Sequence, residues 1–137
     1  MAKLKGVILD FDSLAPESLN CEALMAFNDI DWQVFPQTNP EQTRDRIGDA
    51  NIILTNKVVI DAALIAQATS LTYIGVLATG MNNIDVTACE QRGIVVQNVE
   101  GYGTASVAQH TLMLMLMLAT SVSRYQTSVG SGQWSKA

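Results

Sequence analysis

Four short clusters in this 137-residue sequence hold residues suited to chemistry, and a single histidine stands apart from them. Asp10 and Asp12 follow the apolar run Val7-Ile-Leu9, placing two carboxylates two residues apart at the end of a predicted strand. Thr55 and Lys57 follow a second run, Ile52-Ile-Leu54, and offer a hydroxyl and a cation. Leu77-Ala-Thr-Gly-Met81 ends a third run in small residues, whose open backbone N–H groups can form a nest for a carboxylate. Gly101-Tyr-Gly-Thr-Ala-Ser106 is a glycine turn ahead of a helix, where amides and the helix N-terminus can approach a phosphate.

Each cluster also has a plainer reading. The Asp10-Phe-Asp-Ser13 segment resembles the opening motif of the haloacid dehalogenase superfamily, in which the first aspartate attacks phosphorus and the second handles protons near magnesium. Thr55 and Lys57 would then be later phosphate contacts. Ser13 stands where that motif has glycine, and no acidic metal pair follows, so solvated loop carboxylates are the preferred reading of Asp10 and Asp12. The GxGxxS turn lacks the third glycine of the dinucleotide fingerprint, and no acid follows at the distance a ribose contact needs. Thr104 can still cap the helix or touch a ligand. The Leu77–Met81 loop is either a carboxylate nest or a tight turn that needs Gly80 for its backbone angles. For His110, a hydrogen-bonded structural role is preferred to proton transfer.

The elements that must position these clusters follow from periodicity. Val7–Leu9, Gln33–Phe35, Ile52–Leu54, Tyr73–Leu77 and Ile94–Val96 read as five strands separated by helical segments. Pro16 opens a helix whose apolar face is Leu19, Ala23, Ala26 and Phe27. Asn39-Pro-Glu-Gln42 is a capping box ahead of a helix that Gly48 ends, and Asp61 and Asp85 cap two more, the second closed by Gly93. This β-α alternation predicts an α/β fold with a parallel sheet, helices on both faces and right-handed crossovers. From Gly101 to Ser123 no charged residue occurs, and Leu112–Ala119 is wholly apolar. That run is far short of the roughly 20 residues a bilayer requires, so the segment reads as a buried helix that needs cover from a partner chain or a further domain. Met113, Met115 and Met117 read as core packing within it.

Composition narrows the function. A net charge of -5 argues against nucleic acid and anionic membrane, both of which reward basic patches. Cys21 and Cys89 have no paired spacing and read as two buried, reduced thiols, with no metal site expected. The start, Met1-Ala-Lys-Leu-Lys5, runs directly into a strand with no signal peptide, giving the expectation of a cytoplasmic protein.

Taken together, Ile52-Ile-Leu-Thr-Asn-Lys57, Tyr73–Gly80 with Asn82-Asn83-Ile84-Asp85, Gly93–Asn98 and Gly101–His110 resemble the D-2-hydroxyacid dehydrogenases, specifically the glycerate dehydrogenase or hydroxypyruvate reductase type. The resemblance covers nearly the whole chain in order and displaces the dehalogenase reading. It implies a flavodoxin-like (Rossmann-like) substrate domain over residues 1–100. Residues 101–137 would then be a crossover helix and the start of a domain that binds NAD or NADP. It implies that the backbone around Ala78, Thr79 and Gly80 holds the carboxylate of a small 2-keto or 2-hydroxy acid. Lys57 would lie near the same cleft, and Thr104 and Val107 would border the cofactor. The family's glycine-rich fingerprint, ribose-binding acid and catalytic Arg, Glu and His would fall beyond Ala137, and His110 does not match the catalytic histidine. The chain alone is therefore expected to be inactive, to bind no cofactor tightly, and to form a homo-oligomer through the apolar helix 104–123. The alternatives are a non-catalytic flavodoxin-like module that binds a small carboxylate or serves assembly, and, more distantly, a magnesium-dependent phosphatase.

Overall fold

The computed structural model describes residues 3–136, so the expectation resting on Met1 and Ala2 lies outside the described residues. Five strands, β1 (Leu4–Ile8), β2 (Ile30–Val34), β3 (Ile52–Thr55), β4 (Tyr73–Val76) and β5 (Val95–Asn98), form one sheet in the order β2-β1-β3-β4-β5. All four pairings are parallel. This is the flavodoxin-like strand order. The helices are α1 (Glu22–Met25), α2 (Pro40–Ile47), α3 (Ala62–Gln67), α4 (Val86–Gln91), α5 (Thr104–Ala119) and α6 (Val122–Gly130). The chain divides into two compact units, Met1–Glu100 and Gly101–Ala137.

Register explains the core of the first unit. Val7, Ile53, Ile74 and Val96 are aligned across four neighbouring strands and therefore share one sheet face. They pack in one cluster with Ile47 of α2, Ile65 of α3 and Cys89 of α4. On the opposite face lie Ile8, Leu54 and Gly75, paired in the same way. There the strands carry glycine because large neighbours fill the space. A Cβ on Gly6 would fall 2.5 Å from the Trp32 ring, and one on Gly75 would fall 2.6 Å from Leu54 Cδ2.

The caps follow the sequence. Asp61 Oδ1 accepts from Leu64 N–H and Asp85 Oδ1 from Ala88 N–H, both at 2.9 Å. Gln42 Oε1 accepts from Asn39 N–H at 3.1 Å to fix the start of α2. Gly48 and Gly93 end their helices with positive φ, which L-residues with a Cβ avoid. β2 begins at Ile30, earlier than the Gln33–Phe35 run implies.

Three expectations are corrected. The helix expected from Pro16 is reduced to a 3₁₀ turn, Pro16–Ser18, and the single turn of α1, after a separate 3₁₀ turn at Phe11–Leu14. Ala15 sits in the left-handed region, Leu19 is extended, and Asn20 Oδ1 takes the Glu22 N–H at 2.9 Å, so no continuous ladder forms. Leu19 and Phe27 are exposed as a result. The apolar helix expected from Gly101 to Ser123 is also two elements, because Ser121 takes a left-handed conformation (φ 51°) and Thr120 Oγ1 bonds back to the Leu116 carbonyl at 2.7 Å. α5 and α6 meet at 64°. No single helix among the described residues is long and apolar enough to cross a membrane; α5 and α6 pass that test only as this bent pair. Within this chain alone Met113 and Met115 are exposed on α5. Finally, only Cys89 is fully buried, while Cys21 is half-buried; both are free thiols.

Burial pushes the Cys89 thiol up, and the nearby negative charge of Asp85 adds to that. The reactive thiolate is thus disfavoured at Cys89, and iodoacetamide at pH 8 should alkylate Cys21 faster by roughly tenfold or more. Peptide mass mapping over time reads this directly. Ile74, fully buried at the centre of the sheet, should on substitution with Ala lower the unfolding free energy by about 3 kcal/mol in a denaturant titration.

Candidate functional site

In an open parallel sheet, ligands bind outside the carboxyl ends of the strands, and the crevice opens where successive connections leave in opposite directions. With this strand order the crevice lies between β1 and β3. Here it is occupied by protein. Asp10, just past β1 and only 6% exposed, accepts from Thr55 Oγ1 at 3.1 Å and from Asn56 N–H at 2.9 Å on one oxygen. Its other oxygen accepts from Lys57 N–H at 2.6 Å and, at 3.2 Å, from Asn56 N–H. Asn56 Nδ2 in turn donates to Ser13 Oγ at 3.0 Å. The preferred sequence reading of Asp10 as a solvated carboxylate is therefore corrected: it is buried because four donor contacts replace its water. Asp12 is exposed, as expected.

Beside this bridge lies a cleft of about 510 Å³ lined by Asp10, Asp12, Ser13, residues 36–40, Thr43 and Lys57–Val59. Lys57 reaches it as an exposed side chain. Ala78, Thr79 and Gly80 are not among its walls. Lys57 and the Leu77–Met81 loop thus belong to the same edge of the sheet, but this cleft does not bring them together.

The Leu77–Met81 loop has its own construction. Leu77 N–H donates to the Thr55 carbonyl at 2.7 Å, which ties the exit of β4 to the end of β3. Asn98 Nδ2 donates to the Thr79 carbonyl at 2.7 Å, and Thr79 Oγ1 to the Val99 carbonyl at 3.2 Å. Farther along, Ile60 N–H reaches the Asn83 carbonyl at 2.8 Å and Asn83 Nδ2 the Val58 carbonyl at 3.0 Å. The loop is held from both sides through carbonyls and side chains. Among the described residues, no main-chain N–H from Ala78 through Asn83 donates to a protein acceptor. Thr79 and Gly80 are exposed. Gly80 does not have a positive φ, and a Cβ there would lie 3.1 Å from Asn82 Oδ1, so close approach and not turn angle is what glycine serves.

In the second unit, Gly103 is the N-cap of α5, and Thr104 is its first residue, without a side-chain cap bond. Thr104 and the 65%-exposed Val107 both lie open at this start. The His110 side chain is exposed and makes no hydrogen bond among the described residues, which corrects the expectation of a hydrogen-bonded histidine. Among the described residues no three His, Cys, Asp or Glu side chains gather as a metal site. The residue that sequence reasoning missed is Asp10 as a bridge. Its signal was present as an aspartate closing the first strand and a Thr-Asn-Lys run closing the third, but pairing them requires knowing that β1 and β3 are neighbours. Replacing Asn83 with Leu should remove the bond to Val58 and lower stability by about 1 kcal/mol. Amide exchange at Ile60 should rise with it, as measured by NMR.

The family model for the D-isomer specific 2-hydroxyacid dehydrogenase catalytic domain matches residues 8–132. A hydroxypyruvate reductase of Blautia hydrogenotrophica is 36% identical over 132 residues, 96% of this chain and 41% of that protein. A glycerate dehydrogenase of Methylorubrum extorquens is 35% identical over 98 residues, covering 72% of this chain and 31% of that one. An acyclic imino acid reductase solved in complex with NADPH and D-Arg superposes with a TM-score of 0.79 over 94% of this chain and 41% of that chain; at 22% identity this is a likeness of fold. The chain spans less than half the length of each of these proteins. With the sheet order and the loop after β4 in place, the match over residues 8–132 makes this chain a member of the D-isomer specific 2-hydroxyacid dehydrogenase family.

Proposed function

We propose that this chain is the substrate-holding part of a cytoplasmic, NAD(P)-dependent oxidoreductase. Its reaction would reduce a short 2-keto acid of the hydroxypyruvate or glyoxylate type to the D-2-hydroxy acid. The observation that carries this reading is the run of unpartnered main-chain N–H groups from Ala78 through Asn83 at the carboxyl edge of the sheet. Successive amides in a fixed loop form a concavity that favours an anion, and a carboxylate oxygen can take two of them at once. Ala78, Thr79 and Gly80 hold the substrate carboxylate, and the small side chains keep the amides open. Lys57, exposed beyond the neighbouring strand, adds positive charge to the same edge and draws in the acid.

NAD(P), when bound, supplies the hydride that the carbonyl carbon receives. Thr104 and Val107, at the start of α5, are proposed as its contacts from this chain. The reduction also needs an acid for the developing alkoxide, and His110 is not assigned that role. The 137-residue polypeptide by itself is therefore expected to bind the keto acid without turning it over. The exposed apolar residues of α5, with Leu112, Leu116 and Leu118 among them, are proposed as the surface of a homo-oligomer.

Titration of the ¹⁵N-labelled polypeptide with hydroxypyruvate should shift the amide resonances of Ala78–Asn83. Gly80→Asp, which sets a like charge against the ligand, should weaken binding by about 100-fold. Shifts confined to residues 36–43, or none at all, would remove the assignment. NADH oxidation with hydroxypyruvate should stay at background, and turnover by the polypeptide alone would contradict the division of labour proposed here.

A further inference from the structure

We infer that Asp10 is a positioning residue for substrate binding: it closes the crevice between β1 and β3 and holds the loop after β3 in the form that presents Lys57 and supports the amide run after β4. This rests on the proposed carboxylate seat at Ala78–Gly80. Asp10 lies in a different strand connection from that seat and is not placed in contact with the substrate.

Asp10 is buried, and its carboxylate oxygens are hydrogen-bonded by Thr55 Oγ1, Asn56 N–H and Lys57 N–H. Two consecutive amides turned toward one carboxylate set the path of the chain at Asn56 and Lys57, and hence the direction in which Lys57 leaves the sheet. The same Thr55 hydroxyl that donates to Asp10 accepts from Val58 N–H at 3.1 Å, which extends the constraint by one residue. The Val58 carbonyl then receives Asn83 Nδ2, at the far end of the open amide run. At the near end, the Thr55 carbonyl receives Leu77 N–H. The segment Thr55–Ile60 is thus clamped between Asp10 on one side and both ends of the proposed seat on the other.

The usual ligand crevice of this strand order is where Asp10 sits. Removing its side chain leaves Asn56 N–H and Lys57 N–H without an acceptor at a half-buried site, and the loop must then find other partners. No other acceptor within that loop is bonded to these two amides. The effect should therefore be local to the loops, since β4 and its core neighbours keep their own ladder.

The test uses Asp10→Ala and the near-isosteric Asp10→Asn in the full 137-residue chain, with two readouts. Native-state hydrogen exchange should accelerate at Asn56 and Lys57 by on the order of 10- to 100-fold in Asp10→Ala, and less in Asp10→Asn, which retains one acceptor oxygen. Exchange at Ile74 and Val76 should change far less. Hydroxypyruvate affinity, followed through the resonances of Ala78–Asn83, should fall by roughly tenfold or more in Asp10→Ala with partial recovery in Asp10→Asn. Wild-type affinity in Asp10→Ala would overturn the inference. So would equal acceleration at Ile74, Val76 and the loop in both variants, which would make Asp10 a general stability residue. If the wild-type chain shows no shift at Ala78–Asn83, the carboxylate seat itself fails, and the exchange readout still decides whether Asp10 holds the loop.

Discussion

A carboxylate taken out of water has to be met by donors, and at Asp10 those donors come from another strand. The bonds from Asp10 to Thr55, Asn56 and Lys57 join β1 to β3 beyond the end of their ladder. They do so at the one place where the connections of the sheet diverge and no helix crosses. From that join a chain of hydrogen bonds runs outward along the carboxyl edge. The loop after β3 leans on it, the loop after β4 leans on the loop after β3, and Asn98 at the end of β5 and Val99 just past it bond to Ala78 and Thr79 of that second loop.

The consequence is a loop whose carbonyls and side chains are engaged while its amides are not. The proposed anion seat rests on this feature, in a segment otherwise made of small, uncharged residues. An anion seat made from backbone needs no charged side chain and tolerates a substrate that is itself small, because nothing projects into the space. Such a seat depends on geometry that side chains elsewhere maintain.

Most of the fold was legible because each element is short and punctuated. Asp61, Asp85 and Gln42 mark helix starts, Gly48 and Gly93 mark ends, and the apolar runs between them are the strands. What was not legible was set by contacts between distant residues or by backbone strain at a single residue. Pro16 and the apolar residues after it read as a helix, yet Ala15 and Asn20 divert the backbone, and the side chains gain no burial that would favour a helix. Ser121 gave no sign that it would adopt a left-handed conformation and split the apolar stretch. The loop proposed as the seat, Ala78–Gly80, was visible as small residues after a strand; the reason for Gly80 became clear only with Asn82 beside it. Asp10 was visible as a carboxylate and misread as solvated, because its donors lie 45 to 47 positions away.

The central claim is that the backbone after β4, and not the cleft beside Lys57, receives the carboxylate. The most direct measurement is a crystal structure of the chain grown with oxamate, a small unreactive analogue of a 2-keto acid. Its carboxylate is expected within hydrogen-bonding reach, about 3 Å, of amides in the Ala78–Gly80 segment. Oxamate seated instead among Asn39, Thr43 and Lys57 would contradict it.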